Sequence, residues 1–117
     1  MILVVDDDLD ICKLVETSFK EVGIPFLYCE TIEHAKAEID KSKFDMILLD
    51  ISLSDGNGGE IIQYIREQNH DNIDTPIIIM STYVNNEFSE RIKDNVFSVL
   101  KKPFDSKQLL LAINPPR

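Results

Sequence analysis

The chain has 117 residues, with 12 Lys or Arg against 21 Asp or Glu, and a formal net charge of −9 at pH 7. This length fits one domain, and a hydrophobic fraction of 44% excludes a chain that is disordered throughout. The negative charge argues against direct binding to nucleic acid or to an anionic membrane surface, because phosphate groups would repel it.

The first part of the chain has the pattern strand, helix, strand, helix. The apolar run Ile2–Val5 predicts a buried strand, and a helical pattern follows it, with Asp8 as N-cap and Gly23 as C-terminal stop. A second run, Phe26–Tyr28, precedes Thr31, which is placed to cap a second helix. The positions expected to face inward are Ile11, Leu14, Val15, Ser18, Phe19 and Val22 in the first helix, and Ile32, Ala35 and Ile39 in the second.

The rest of the chain repeats this alternation three times. The runs Met46–Leu49, Ile77–Met80 and Val96–Leu100 predict strands. Strands that alternate with helices pair in parallel through right-handed crossovers, so we expect an α/β fold with a doubly wound, five-stranded parallel sheet. The apolar positions of the last three helices are Ile61, Ile62 and Ile65, then Val84, Phe88 and Ile92, then Leu109, Leu110 and Ile113.

Charged or hydroxyl side chains directly follow four of the five predicted strands. Because the carboxyl ends of parallel strands meet at one edge of a sheet, and ligands bind outside that edge, we expect these side chains to lie together. They are Asp6, Asp7 and Asp8 after the first strand, Asp50 after the third, Ser81 and Thr82 after the fourth, and Lys101 and Lys102 after the fifth.

The expected proximity of Asp6, Asp7 and Asp50 predicts a bound cation. Like charges so close repel one another, and one lysine offsets only one of the three. Mg²⁺ takes oxygen ligands, uses one or two carboxylates, and keeps waters that a phosphoryl group can replace. A carboxylate beside Mg²⁺, a hydroxyl and a lysine suits phosphoryl transfer onto Asp.

At this point the sequence resembles the receiver domains of bacterial two-component response regulators. The resemblance covers residues 1 to about 113 and implies a flavodoxin-like (βα)₅ fold with strand order 2-1-3-4-5. It implies a phosphorylation-activated signalling switch, not an enzyme, although such a domain assists its own phosphorylation and dephosphorylation. The segments that carry the resemblance are Ile2–Asp7, Asp45–Asp50, Asp55–Gly58, Pro76–Ser81 and Lys102–Phe104.

The resemblance assigns expected roles to the acidic residues. Asp50 resembles the phosphoacceptor, which takes a phosphoryl group from the phosphohistidine of a sensor histidine kinase or a phosphotransfer protein. Asp6, Asp7, Asp50 and the backbone carbonyl of Ser52 match the family's Mg²⁺ ligands. Mg²⁺ is therefore the expected cofactor.

The resemblance also describes the switch. Ser81, with Thr82 beside it, matches the hydroxyl that contacts the phosphoryl group, and Lys102 matches the lysine that does so. Val99 occupies the position where the family usually has Tyr or Phe, so the usual aromatic rotamer change is not expected. The signal is expected to leave through the face of the fourth helix, fifth strand and fifth helix, to an output domain, a downstream protein or a homodimer formed on phosphorylation.

Parts of the same pattern occur in two other classes of protein. A haloacid-dehalogenase-type phosphatase needs Asp-x-Asp followed by Thr or Val, and Asp6 and Asp8 give the spacing, but Asp10 stands at the third position. A receiver-like binding module that signals without phosphorylation stays open because of Val99.

The cellular location is predicted from the lengths of the apolar runs and from the residues before the first strand. No run approaches the roughly 20 residues that span a bilayer, and no secretory signal precedes the first strand, so we expect a cytoplasmic protein. Residues 1–117 are expected to form a single receiver domain, with room for an output domain beyond Arg117.

Overall fold

The computed structural model describes residues 1–53, 56–67, 71–82 and 97–113. Its main sheet has five parallel strands: β1 (Ile2–Val5), β2 (Phe26–Cys29), β3 (Met46–Asp50), β4 (Ile77–Ser81) and β5 (Ser98–Lys101). Their order in the sheet is β2-β1-β3-β4-β5, as predicted. A short antiparallel pair, Ser52–Leu53 with Gly56–Asn57, follows β3 outside this sheet.

Four helices belong to the described residues: α1 (Leu9–Val22), α2 (Ile32–Lys41), α3 (Gly59–Glu67) and the C-terminal helix (Ser106–Ile113). None of these four has the length and apolar character needed to cross a bilayer. The predicted helix with Val84, Phe88 and Ile92 lies outside the described residues.

The ends of α1 and α2 are fixed by local hydrogen bonds, as predicted. The Asp8 carboxylate accepts a hydrogen bond from the backbone N–H of Asp10 at 2.9 Å, and Thr31 Oγ1 accepts one from His34 N–H at 3.0 Å. Gly23 ends α1 with φ of 72°, a left-handed conformation that a Cβ disfavours. These residues determine where α1 begins and ends and where α2 begins.

Alternate strand residues point to opposite faces of the sheet, and each face carries its own core. On one face, Leu3 and Ile47 pack with α2 and α3. On the other, Val4 and Leu48 pack with α1 and the C-terminal helix. This explains the continuous apolar runs, because a strand covered on both faces buries every side chain.

Val22 is an exception to the predicted inward face of α1. Its side chain is 53% exposed, because it is the last residue of the helix and lies at the rim of a groove. Ile24, Leu110 and Ile113 also line that groove, between the ends of α1 and the C-terminal helix.

Candidate functional site

The predicted polar residues, apart from the exposed Lys101, lie together at the carboxyl edge of the sheet. The strand register aligns the ends of β3, β4 and β5, because Asp50 is paired with Met80 and Ser81 with Lys101. A cleft of about 210 Å³ opens at this edge. It is lined by Asp7, Asp8, Asp50, Ser81, Thr82 and Lys102.

Three carboxylates converge beside the cleft. One oxygen each from Asp6, Asp7 and Asp50 lies within 4.8 Å of the other two. Asp6 is fully buried and Asp50 is 5% exposed, whereas Asp7 is open to solvent. The backbone N–H of Asp8 donates to Asp6 Oδ1 at 2.9 Å, which holds the buried carboxylate in place.

Lys102 places a cation among these carboxylates. Its Nζ atom lies 2.8 Å from Asp6 Oδ2 and 3.5 Å from Asp50 Oδ2. Burial acts to lower the pKa of Lys102, but the hydrogen bond with Asp6 and the charges of Asp6, Asp50 and Asp8 outweigh it, so the net pKa is raised. The ammonium group is therefore charged near neutral pH, and one positive charge faces three carboxylates.

The donor set fits a small divalent cation. All three converging groups offer carboxylate oxygens, the ligands that Mg²⁺ prefers. Asp6 Oδ2 is buried and, apart from its ion pair with Lys102, has no hydrogen-bond partner among the described residues. Ser52 lies two residues beyond Asp50, in the short antiparallel pair, and its carbonyl as a further ligand stays a prediction.

The two predicted hydroxyl residues occupy different surroundings. Ser81 is the last residue of β4 and is 4% exposed, and its backbone carbonyl accepts a hydrogen bond from Lys102 N–H at 2.7 Å. Thr82 follows it and is exposed in the cleft wall. Both residues line the cleft, as does Asp50.

Val99 is partly buried, packs against the core beneath α2 and α3, and is paired in register with Ile79. Phe97, two residues earlier, precedes β5 and is 53% exposed. The side chain at position 99 is thus part of the packing between the sheet and its helices.

Two residues contribute to the site without having been singled out from the sequence as site residues. A Cβ atom at Gly58 would lie 2.2 Å from the backbone oxygen of Asp50, and Gly58 N–H donates to Ile51 O at 2.8 Å. The hydroxyl of Tyr28 donates to the backbone carbonyl of Asp8 at 3.3 Å. Gly58, the last residue of the segment Asp55–Gly58, could have been identified as a site residue from the sequence. No local sequence feature identifies Tyr28 in this way.

Asp8 is the predicted N-cap of α1. It is exposed and caps α1, but it also forms part of the cleft wall. Its carboxylate accepts a hydrogen bond from the N–H of Asp10, so Asp8 both caps α1 and adds negative charge to the cleft.

The chain is similar to known response regulators. The family model described as the response regulator receiver domain matches residues 2–114. The chain is 30% identical to the response regulator protein PilR of Pseudomonas aeruginosa over 92% of its own length and 24% of that protein. It is 34% identical to the nisin biosynthesis regulatory protein NisR of Lactococcus lactis, over 96% of its length and 48% of that protein.

Solved structures agree with this fold. The Francisella response regulator 1452 receiver domain has a TM-score of 0.85 and 31% identity, with 97% of this chain and 92% of that chain covered. The chemotaxis response regulator CheY4 of Vibrio cholerae has a TM-score of 0.87 and 26% identity, with 96% and 93% covered. The chain thus spans nearly all of these solved domains, but half or less of PilR and NisR.

Proposed function

This chain belongs to the response regulator receiver domain family, a family of signalling domains, and from that premise we propose that Asp50 is its phosphoacceptor. In the proposed reaction an oxygen of Asp50 attacks the phosphorus of a phosphohistidine. The O–P bond forms, the N–P bond breaks, and the imidazole nitrogen keeps the electron pair and takes up a proton. The product is an aspartyl phosphate that acts as the signal.

The observation that carries this proposal is the position of Asp50 between a cation and a cleft. Asp50 Oδ2 lies 3.5 Å from Lys102 Nζ, and the same residue lines the opening that a phosphoryl group would enter. Lys102 can attract the phosphoryl oxygens, and the hydroxyls of Ser81 and Thr82 can donate hydrogen bonds to them.

Asp6, Asp7 and Asp50, with the carbonyl of Ser52, are proposed to hold Mg²⁺. When bound, Mg²⁺ neutralises the carboxylates and the incoming phosphoryl oxygens. The residues themselves supply fixed geometry: Asp6 is immobilised by Asp8 N–H and by Lys102, and Asp7 remains accessible from solvent.

The proposed partners follow from family membership and from the greater length of the relatives. We propose that a sensor histidine kinase or a phosphotransfer protein supplies the phosphoryl group in the cytoplasm. The response is passed to an output domain or a downstream protein, or through a homodimer formed on phosphorylation. Residues 83–96, which include the proposed fourth-helix part of the output face, lie outside the described residues.

The direct test is phosphorylation by a small phosphodonor such as acetyl phosphate, with Mg²⁺ present. Intact mass should rise by one phosphoryl group, the group should be lost on mild alkaline treatment, and Asp50→Asn should abolish the gain. Asp45→Asn is a matched control, because Asp45 is exposed and pairs with the N-terminal amine. A phosphoryl group that resists alkali, or that persists in Asp50→Asn, would move the site to another residue.

A binding module that signals without phosphorylation is the second candidate, favoured by the small side chain of Val99, which packs partly buried against the core. It predicts no phosphoryl gain at Asp50 in the same experiment. The phosphatase alternative receives no support from the family match.

A further inference from the structure

Tyr28 joins β2 to the first turn of α1 beside the acidic site. Its ring lies partly buried on the face of the sheet that α1 covers. Its hydroxyl donates to the carbonyl oxygen of Asp8 at 3.3 Å. The Asp8 carbonyl accepts a second hydrogen bond, at 3.0 Å, from the N–H of Cys12.

The environment keeps the Tyr28 hydroxyl in its donor form. Burial raises the pKa of Tyr28, and the negative charges of Asp6 and Glu30 raise it further. A protonated phenol donates through its O–H, so the contact with the Asp8 carbonyl is a hydrogen bond from tyrosine to the backbone.

Asp8 is the residue through which this bond reaches the carboxylates. Its N–H donates to Asp6 Oδ1 at 2.9 Å, and Asp7 immediately precedes it in the chain. A restraint on the carbonyl of Asp8 therefore also restrains the amide that orients Asp6 and the backbone that carries Asp7.

We propose that Tyr28 is a positioning residue for the cation site: its hydroxyl holds Asp8 so that Asp6 and Asp7 present their carboxylates together. This rests on the proposed function, which places a divalent cation at these carboxylates. Groups that orient metal ligands tune metal affinity. One neutral hydrogen bond corresponds to about a threefold to tenfold change in an equilibrium constant.

The test compares Tyr28→Phe with Tyr64→Phe. Both changes remove one phenolic hydroxyl, but the hydroxyl of Tyr64 bonds to Asp40, on the surface formed by α2 and α3, at 2.6 Å. Mg²⁺ binding is measured by calorimetric titration with Mg²⁺ alone, well below the melting temperature. Tyr28→Phe should raise the dissociation constant by about threefold to tenfold. Tyr64→Phe should bind Mg²⁺ as the unmodified chain does.

A second measurement does not depend on a metal. In the metal-free protein, Tyr28→Phe should speed hydrogen exchange of the Asp8 amide by about threefold to tenfold, and Tyr64→Phe should not. An unchanged Asp8 amide, or equal weakening of Mg²⁺ binding in both variants, overturns the positioning role of Tyr28. Failure of the unmodified chain to bind Mg²⁺ overturns the cation site of the proposed function and this role with it.

Discussion

The ammonium group of Lys102 lies 2.8 Å from the carboxylate of Asp6, although β3 and β4 lie between the strands that these residues follow. Asp6 is fully buried and the Lys102 side chain is only 11% exposed. The long lysine stem thus crosses the carboxyl edge of the sheet and brings the charge of β5 to the acid of β1. This ion pair connects the sheet's last strand to its buried acidic centre.

Lys102→Met should lower the free energy of unfolding by about 3 kcal/mol, because it leaves the buried charge of Asp6 without compensation. Urea denaturation measures the change. Lys101→Met is the matched control, since Lys101 is exposed and its loss should change stability by no more than about 0.5 kcal/mol. Equal losses in the two variants would contradict the importance of the buried pair.

Added Mg²⁺ should raise the melting temperature, because a ligand that binds only the folded state stabilises it by mass action. At ten times the dissociation constant we expect a rise of about 5 °C for a domain of this size. Asp7→Asn should abolish the rise. Asp10→Asn removes an equivalent charge from the first turn of α1, outside the carboxylate cluster, and should keep it. A Mg²⁺ response that survives in Asp7→Asn would exclude Asp7 as a ligand.

Gly58→Ala should destabilise the fold by about 1–3 kcal/mol, because the added Cβ would lie 2.2 Å from the Asp50 carbonyl oxygen and force the backbone apart. It should also slow phosphorylation at Asp50, followed by intact mass. Gly23→Ala is the control, since it strains a left-handed residue at the far end of α1, about 20 Å from its start. If Gly23→Ala slows phosphorylation as much, stability rather than site geometry is responsible.

Stability should fall as pH rises from about 9 to about 11, in part through Cys29. Burial, followed by the charge of Glu38, raises the pKa of this thiol from 9.0 to about 11. Between these values the unfolded chain loses the proton while the folded chain keeps it, so alkali favours unfolding.

Denaturation at pH 8 and pH 11 should show a smaller loss for Cys29→Ala than for the unmodified chain. Cys12→Ala is the comparison: burial also raises the pKa of this less buried thiol, so its loss should reduce the pH dependence less than the loss of Cys29 does. Identical pH dependence in the Cys29→Ala variant and the unmodified chain would show that this thiol does not contribute.

The five strands, the four described helices and the caps of α1 and α2 could be predicted from the sequence, because these features depend on near neighbours. Asp8, Gly23 and Thr31 act within three or four residues of themselves, and a run such as Ile2–Val5 is apolar throughout because both faces of its strand are covered. The site's location was also predictable. In a parallel sheet every carboxyl end faces the same edge, so residues after strands 1, 3, 4 and 5 had to converge.

Which of these groups are in contact could not be predicted from the sequence, because it depends on how the folded elements pack. The ion pair of Lys102 with Asp6 depends on sheet order and side-chain length, and the approach of Gly58 to Asp50 depends on the path of the loop after β3. Asn72 gives no local sign of burial, yet it is fully buried and bonds to the backbone of Ile39, Ser42 and Phe44. From the sequence, Tyr28 likewise indicates only a strand residue. In the folded chain α1 packs over it, and its hydroxyl donates a hydrogen bond to the Asp8 carbonyl. These contacts join segments that are distant in the chain, so their energies depend on how whole elements pack and not on the residues beside them.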